Sequence, residues 1–199
     1  CAIPLMRGQH VSKSMDDLVK EAEGLVKKGV KEVMLIAQEL TYYGLDLYKK
    51  RMLGDLMHRL ADVKGLEWIR LHYAYPHKFP LDVLDVMRER PNICNYLDMP
   101  LQHAANNMLK AMKRQITREE MNELIAEIRG KLPDICLRTT LIAGFPGETE
   151  DDVEELKGFL QQHRFDRVGI FTYSHEEGTS AYDLVDDIPQ EVKEERARD

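Results

Sequence analysis

At 199 residues, the chain is long enough for one substantial core, given roughly 100–200 residues per domain, and we expect a single domain over 1–199. Charged residues make up 32% of it and the formal net charge is −7. That balance gives no basic field for a phosphate backbone and argues against nucleic acid as a direct partner of this domain. No apolar run approaches the ~18 residues needed to span a bilayer, so no membrane partner is expected. Three cysteines, Cys1, Cys94 and Cys136, are too few and scattered for a secreted disulfide framework, so a reducing cytoplasmic setting is expected.

Ser14 opens the first predicted helix: Asp17 lies three residues on, Leu18, Ala22, Leu25 and Val26 form an apolar stripe, and Gly29 follows its end. Glu32 to Ala37 is nearly continuous in apolar residues and predicts a strand buried on both faces, as in parallel sheets. Gln38 to Gly44 is its exit loop. Leu47, Met52, Leu53, Leu56, Met57 and Leu60 recur at helical spacing, Glu67 to Tyr73 predicts a second strand, and Ala74 to Pro80 a second loop. Leu81 to Arg90 predicts a short helix stopped by Pro91, and Asn95 to Met99 a third strand leading into Pro100-Leu101-Gln102-His103.

Thr117 with Glu120 has capping-box spacing, and Ile135 to Ala143 is the most apolar strand. Gly144-Phe145-Pro146-Gly147-Glu148-Thr149 is its exit loop, and Thr149 can cap a helix through Val153, Leu156, Phe159 and Leu160. Arg167 to Tyr173 predicts a fifth strand before the loop Ser174 to Ser180. A last helix starts near Pro189 and stays highly charged to Arg198, so its apolar face or its attachment is expected to be missing.

Five strands separated by helices predict an α/β fold of parallel βαβ units, either a barrel arc or an open sheet. Polar residues favour the arc. Gln38, Glu39, His72, Tyr75, His77, Gln102, His103, Glu148, Ser174 and His175 fall at or after strand C-terminal ends, where α/β barrels carry their chemistry. A doubly wound sheet would use only the loops beside one crevice.

Cys1 taken alone reads as a small buried residue. Its setting, Cys1-Ala2-Ile3-Pro4-Leu5-Met6-Arg7-Gly8, resembles the close of the Cys-x-x-x-Cys-x-x-Cys loop of radical S-adenosylmethionine methylthiotransferases. Five further segments carry the resemblance in order. Leu35-Ile36-Ala37-Gln38-Glu39-Leu40-Thr41-Tyr42-Tyr43-Gly44 is similar to the second-strand motif of the RimO-type branch, with Glu39-Leu40 in place of its usual Asp-Thr. Arg70-Leu71-His72-Tyr73-Ala74-Tyr75-Pro76 and Tyr96-Leu97-Asp98-Met99-Pro100-Leu101-Gln102-His103 also resemble that branch. So do the stretches Arg138 to Thr149 and Phe171 to Thr179. The related tRNA branch shares Gly-Phe-Pro-Gly-Glu-Thr but typically ends its cysteine loop Tyr-Thr-Arg-Gly and its second strand Gly-Gln-Asn-Val, unlike this chain.

The resemblance implies a partial, TIM-like (β/α) barrel of the radical type whose first strand is missing or truncated. It implies that Cys1 is the third thiolate of a 4Fe-4S cluster, with cysteines three and seven positions upstream. Three cysteines then bind three irons and leave the fourth to chelate S-adenosylmethionine, whose one-electron cleavage yields a 5'-deoxyadenosyl radical. It further implies an amino-terminal domain with a second 4Fe-4S cluster, a carboxyl-terminal TRAM domain and an electron donor. The substrate it implies is ribosomal small-subunit protein S12, with one aspartate methylthiolated at its β-carbon. The fragment alone is expected to be inactive.

Gly144 and Phe145 have a turn-forming role, and their open backbone suits an adenine edge. Gln38, Gln102 and Arg138 are the polar candidates for the cofactor, because an amide suits amino or ribose groups and a guanidinium suits a carboxylate. Arg138 could instead pair with an acid inside the barrel. Two other activities stay open: tRNA adenosine methylthiolation, and a metal-dependent barrel hydrolase or lyase using His72, His77, His103 and His175. The histidines lack His-x-His or His-Glu-x-x-His spacing, which weighs against the metal site. Cys94 and Cys136 sit at strand beginnings and are expected in the core.

Overall fold

The structure is a computed structural model that describes Met6 and Gly8–Asp199, so Cys1 lies outside the described residues. Its elements are α1 (Met15–Lys27), β1 (Glu32–Leu35), a 3-10 turn at Leu40–Tyr42, α2 (Leu53–Ala61), β2 (Trp68–Leu71), α3 (Asp82–Glu89), β3 (Ile93–Asp98), α4 (Asn106–Ala111), α5 (Arg118–Lys131), β4 (Cys136–Ala143), α6 (Glu150–His163), β5 (Arg167–Thr172) and α7 (Gln190–Arg198). The strands form one unclosed sheet in chain order, β1-β2-β3-β4-β5. The pairings β1–β2, β2–β3 and β4–β5 are parallel, in keeping with the expected arc of a parallel barrel.

Local chemistry sets the helix starts as predicted. Ser14 Oγ accepts the Asp17 N–H at 3.2 Å, and Asp16 and Asp17 in the first turn of α1 face its positive end. Before α5, Thr117 Oγ1 accepts from Glu120 N at 3.3 Å while Glu120 Oε2 accepts from Thr117 N at 2.8 Å. Thr149 and Asp152 exchange the same pair at the start of α6.

Three expectations are corrected. β1 is not buried on both faces: Met34 is 46% exposed and Ile36 61%, whereas Val33 and Leu35 are half-buried, so its apolar run is covered on one side only. The helix expected from Leu47 begins only at Leu53. Gly44 at φ 89° turns the chain, Tyr48 N–H donates to Gly44 O at 2.7 Å and Met52 N–H to Tyr43 O at 2.9 Å, closing a loop where the apolar spacing suggested a helix. Finally, α7 has an attachment, made by cations. Lys193 is only 3% exposed, with Nζ 2.6 and 2.7 Å from the two Asp186 carboxylate oxygens.

The chain divides into two compact units. One comprises His10–Met99 with Ala126–Leu137, the other Pro100–Ile125 with Arg138–Asp199. In the first, α2 packs on α1 and α3 and buries Leu53, Leu56, Met57 and Leu60, each such side chain contributing about 1.5–3 kcal/mol. In the second, Ala105, Met108, Phe145 and Tyr173 form a buried cluster. The Phe145 and Tyr173 rings meet edge to face, 5.1 Å apart at 72°.

Candidate cofactor-binding site

In the first unit, Gln38 is exposed, in the bend that begins three residues after β1 ends at Leu35. Its neighbour Glu39 is committed to structure. Glu39 Oε1 accepts from Thr41 N at 3.0 Å, Thr41 Oγ1 at 2.7 Å and Tyr75 N at 3.3 Å, tying the exit of β1 to the exit of β2. Arg70 Nε donates to Glu32 Oε1 at 2.6 Å and its guanidinium lies 4.9 Å over the Tyr96 ring. The Glu32 carboxylate raises the Arg70 pKa above its ordinary value. His72 Nδ1 lies 3.4 Å from Asp98 Oδ2.

Cys94 and Cys136 do occupy strand beginnings, but both are half-buried rather than enclosed in the core. Burial pushes the Cys94 thiol up, away from the thiolate that a metal ligand requires. Among the described residues, no group of three or more His, Cys, Asp or Glu side chains could hold a metal ion.

The second unit holds Gln102, Arg138, Gly144 and Phe145. β4 alternates: Leu137, Thr139, Leu141 and Ala143 are buried, whereas Arg138, Thr140 and Ile142 lie half-buried on the other face. Gln102 joins this strand by donating N–H to Thr140 O at 2.9 Å and accepting from Ile142 N at 2.9 Å. It does so at φ 76°, a left-handed conformation that costs a residue with a Cβ about 1–3 kcal/mol. Such strain is commonly held where a side chain must be aimed. Arg138 lies three residues before Leu141, the bridge partner of Gln102, which is about 10 Å lower along the strand. The two therefore address different depths. Gly169 is paired with Thr140 on β5. A Cβ there would sit 3.7 Å from Arg138 Nη2 and 3.8 Å from Thr140 Oγ1, an ordinary contact distance, so these two polar groups lie beside Gly169.

Gly144 follows β4 at φ 77°, and a Cβ on it would overlap the stem of Lys193. Phe145 is 5% exposed with its ring in the core cluster, so what it offers a ligand is backbone. Glu148, whose side chain is fully buried, organises the turn. Its Oε2 accepts from Gly144 N at 2.8 Å and from Arg196 Nη1 at 2.9 Å, and its Oε1 lies 3.2 Å from His103 Nε2. His103 Nδ1 accepts from Ala105 N at 3.0 Å. A ring nitrogen that accepts an N–H carries no proton, so the His103 proton sits on Nε2 and points at Glu148. Both ring nitrogens are thus engaged, which removes His103 as a metal ligand. Ser174 and His175 are exposed, and His175 Nδ1 lies 3.3 Å from the Tyr173 hydroxyl.

Arg196 and Lys193 escaped sequence reasoning. The available signal was two cations three residues apart on one face of a highly charged helix. Arg196 Nη2 also pairs with Glu150 Oε1. Burial works against its charge, but Glu150 and Glu148 together raise its pKa above the ordinary value.

Residues 1–160 match the radical SAM superfamily. The chain belongs to that superfamily. Membership implies a 4Fe-4S cluster and S-adenosylmethionine. The ribosomal protein uS12 methylthiotransferase RimO of Flavobacterium psychrophilum is 60% identical over 99% of this chain and 46% of its own length. The protein of the same name from Cytophaga hutchinsonii is 63% identical over 98% of this chain and 45% of its own. The chain therefore spans about half the length of the curated relatives it matches. Coproporphyrinogen III oxidase (HemN) from Escherichia coli, a radical SAM enzyme, superposes with a TM-score of 0.66 at 19% identity, covering 96% of this chain and 46% of that one. The radical S-adenosylmethionine methyltransferase TsrM from Kitasatospora setae gives 0.63 at 18% identity, covering 80% and 31%. At such identities the likeness shows the fold alone.

Proposed function

We propose that residues 1–199 are the radical core domain of a RimO-type methylthiotransferase, which adds a methylthio group to the β-carbon of an aspartate in ribosomal protein S12. The identity of 60% and 63% to relatives bearing that name, sustained over 99% and 98% of the chain, carries the reading. The formal charge of −7 accords with a protein substrate better than with nucleic acid. An electron donor, a second cluster in the parent and a cytoplasmic setting belong to the same proposal. No helix among the described residues is long and apolar enough to cross a membrane.

Cys1 is the residue of this chain we assign to the cluster, and it lies outside the described residues. For S-adenosylmethionine, the Arg138 guanidinium and Thr140 hydroxyl beside Gly169 and the backbone turn at Gly144 suit a ligand with a carboxylate, hydroxyls and a flat base. Arg138 suits the carboxylate, Gln38 and Gln102 suit amino or ribose groups, and Gly144 and Phe145 offer backbone to the adenine edge. When bound, cluster and cofactor together supply one-electron chemistry able to activate an unactivated C–H bond. This chain's share is to bind and orient the cofactor and to keep water from it.

The test uses the full-length protein, reconstituted anaerobically with iron and sulfide and given S-adenosylmethionine and reductant. A methylthio mass increase on S12, absent in Cys1→Ala, is expected. An increase on tRNA instead would move the assignment to adenosine methylthiolation. Undiminished iron in Cys1→Ala would remove Cys1 from the cluster.

A further inference from the structure

Glu148 is a fully buried carboxylate, and such a charge needs a counter-charge as well as donors. Three groups donate to its side chain: His103 Nε2–H, Gly144 N–H and Arg196. His103 is no cation, since its Nδ1 accepts from Ala105 N, and a peptide N–H carries no net charge. Among these donors, the positive charge comes from Arg196 alone. Arg196 also grips the main chain, with Nη1 3.1 Å from Glu148 O. One guanidinium therefore fixes both the side chain and the backbone of the residue that holds Gly144. Beside it on α7, the buried stem of Lys193 covers the space next to Gly144, and its ammonium is held by Asp186 and lies 5.1 Å over the Tyr173 ring.

We propose that Arg196 is a positioning residue for cofactor binding: by compensating the buried Glu148 charge it keeps Gly144 and Phe145 in the backbone conformation that receives the adenosine part of S-adenosylmethionine. This rests on the cofactor reading of the Gly144–Thr149 loop. Without Arg196, Glu148 must take up a proton or turn toward water. Protonation weakens it as the acceptor for Gly144 N–H, and outward rotation removes it. The left-handed turn at Gly144 then loses the bond that defines it. α7, whose Arg196 lies 48 residues beyond Glu148, becomes part of the site without touching ligand.

The experiment compares full-length protein carrying Arg196→Met, Arg196→Lys and, as a surface control, Arg198→Met. Three quantities are read: affinity for S-adenosylmethionine without reductant, iron per chain, and amide hydrogen exchange at residues 144–149. Arg196→Met should bind roughly tenfold more weakly well below its melting temperature, keep its iron, and exchange faster at 144–149. Arg196→Lys should recover part of the affinity, and Arg198→Met should match wild type. Wild-type affinity in Arg196→Met, whatever its melting temperature, overturns the proposal, as would failure of both Arg196 variants to fold. If wild type itself does not bind S-adenosylmethionine, the cofactor reading fails first and this inference falls with it.

Discussion

Glu148 Oε2 accepts the Gly144 N–H at 2.8 Å, so the carboxylate at the end of the turn closes on the amide at its beginning. Every group facing Glu148 is a donor. In Glu148→Gln the new NH2 must face Gly144 N–H and Arg196, or else His103 Nε2–H, and a buried donor is left without an acceptor. We expect a loss of about 1–3 kcal/mol, read from urea denaturation. An unchanged midpoint would mean that the carboxylate is not organising the turn.

Gly144 faces two obstacles to substitution, its φ of 77° and the neighbouring Lys193 stem. Gly144→Ala should destabilise by more than the roughly 1 kcal/mol ordinary for a strained glycine position. Adding Lys193→Ala removes the Cγ and Cδ but leaves the Cβ 2.8 Å away, so it should return only part of the steric cost. A double-mutant cycle on thermal stability checks this, and simple additivity would exclude the contact.

Thr149 Oγ1 accepts from Asp152 N at 3.3 Å while Thr149 N donates to Asp152 Oδ2 at 2.8 Å. Burial alone would raise the Asp152 pKa, but the bonds from Thr149 and Asn107 outweigh it and lower the value. Thr149→Ala should cost about 1 kcal/mol, and Thr149→Ser much less. Equal losses from the two would show that the hydroxyl is not the cap.

Asp46 gives a pH signature. Its Oδ2 accepts the Ser12 N–H at 2.7 Å, and bonding to Ser12 brings its pKa down to about 2. The lowered value means that the stabilisation is complete above the ordinary carboxylate pKa of about 3.9 and disappears as pH falls through the folded value. The stability gap between wild type and Asp46→Asn should be constant above about pH 4 and close toward about pH 2. A gap that persists unchanged across that window would rule out the linkage.

The sequence by itself determined what is local. Ser14, Thr117 and Thr149 announced their helices because a cap satisfies backbone donors two or three residues away. The apolar runs and the loops after them located all five strands, and the ordered motifs led to the radical SAM superfamily. The signals failed where a neighbour decides. The run at Met34 and Ile36 looks enclosed, yet one of its faces is open, and hydropathy does not report which face a neighbour covers. The spacing of Leu47 and Met52 is helical, but Gly44 and its backbone bonds turn that stretch into a loop. Only the tertiary structure decided what α7 is for. Its highly charged sequence has no apolar stripe to betray a docking face, and Arg196 meets Glu148 across 48 residues of chain, a pairing fixed by the burial of one charge against another rather than by any local pattern.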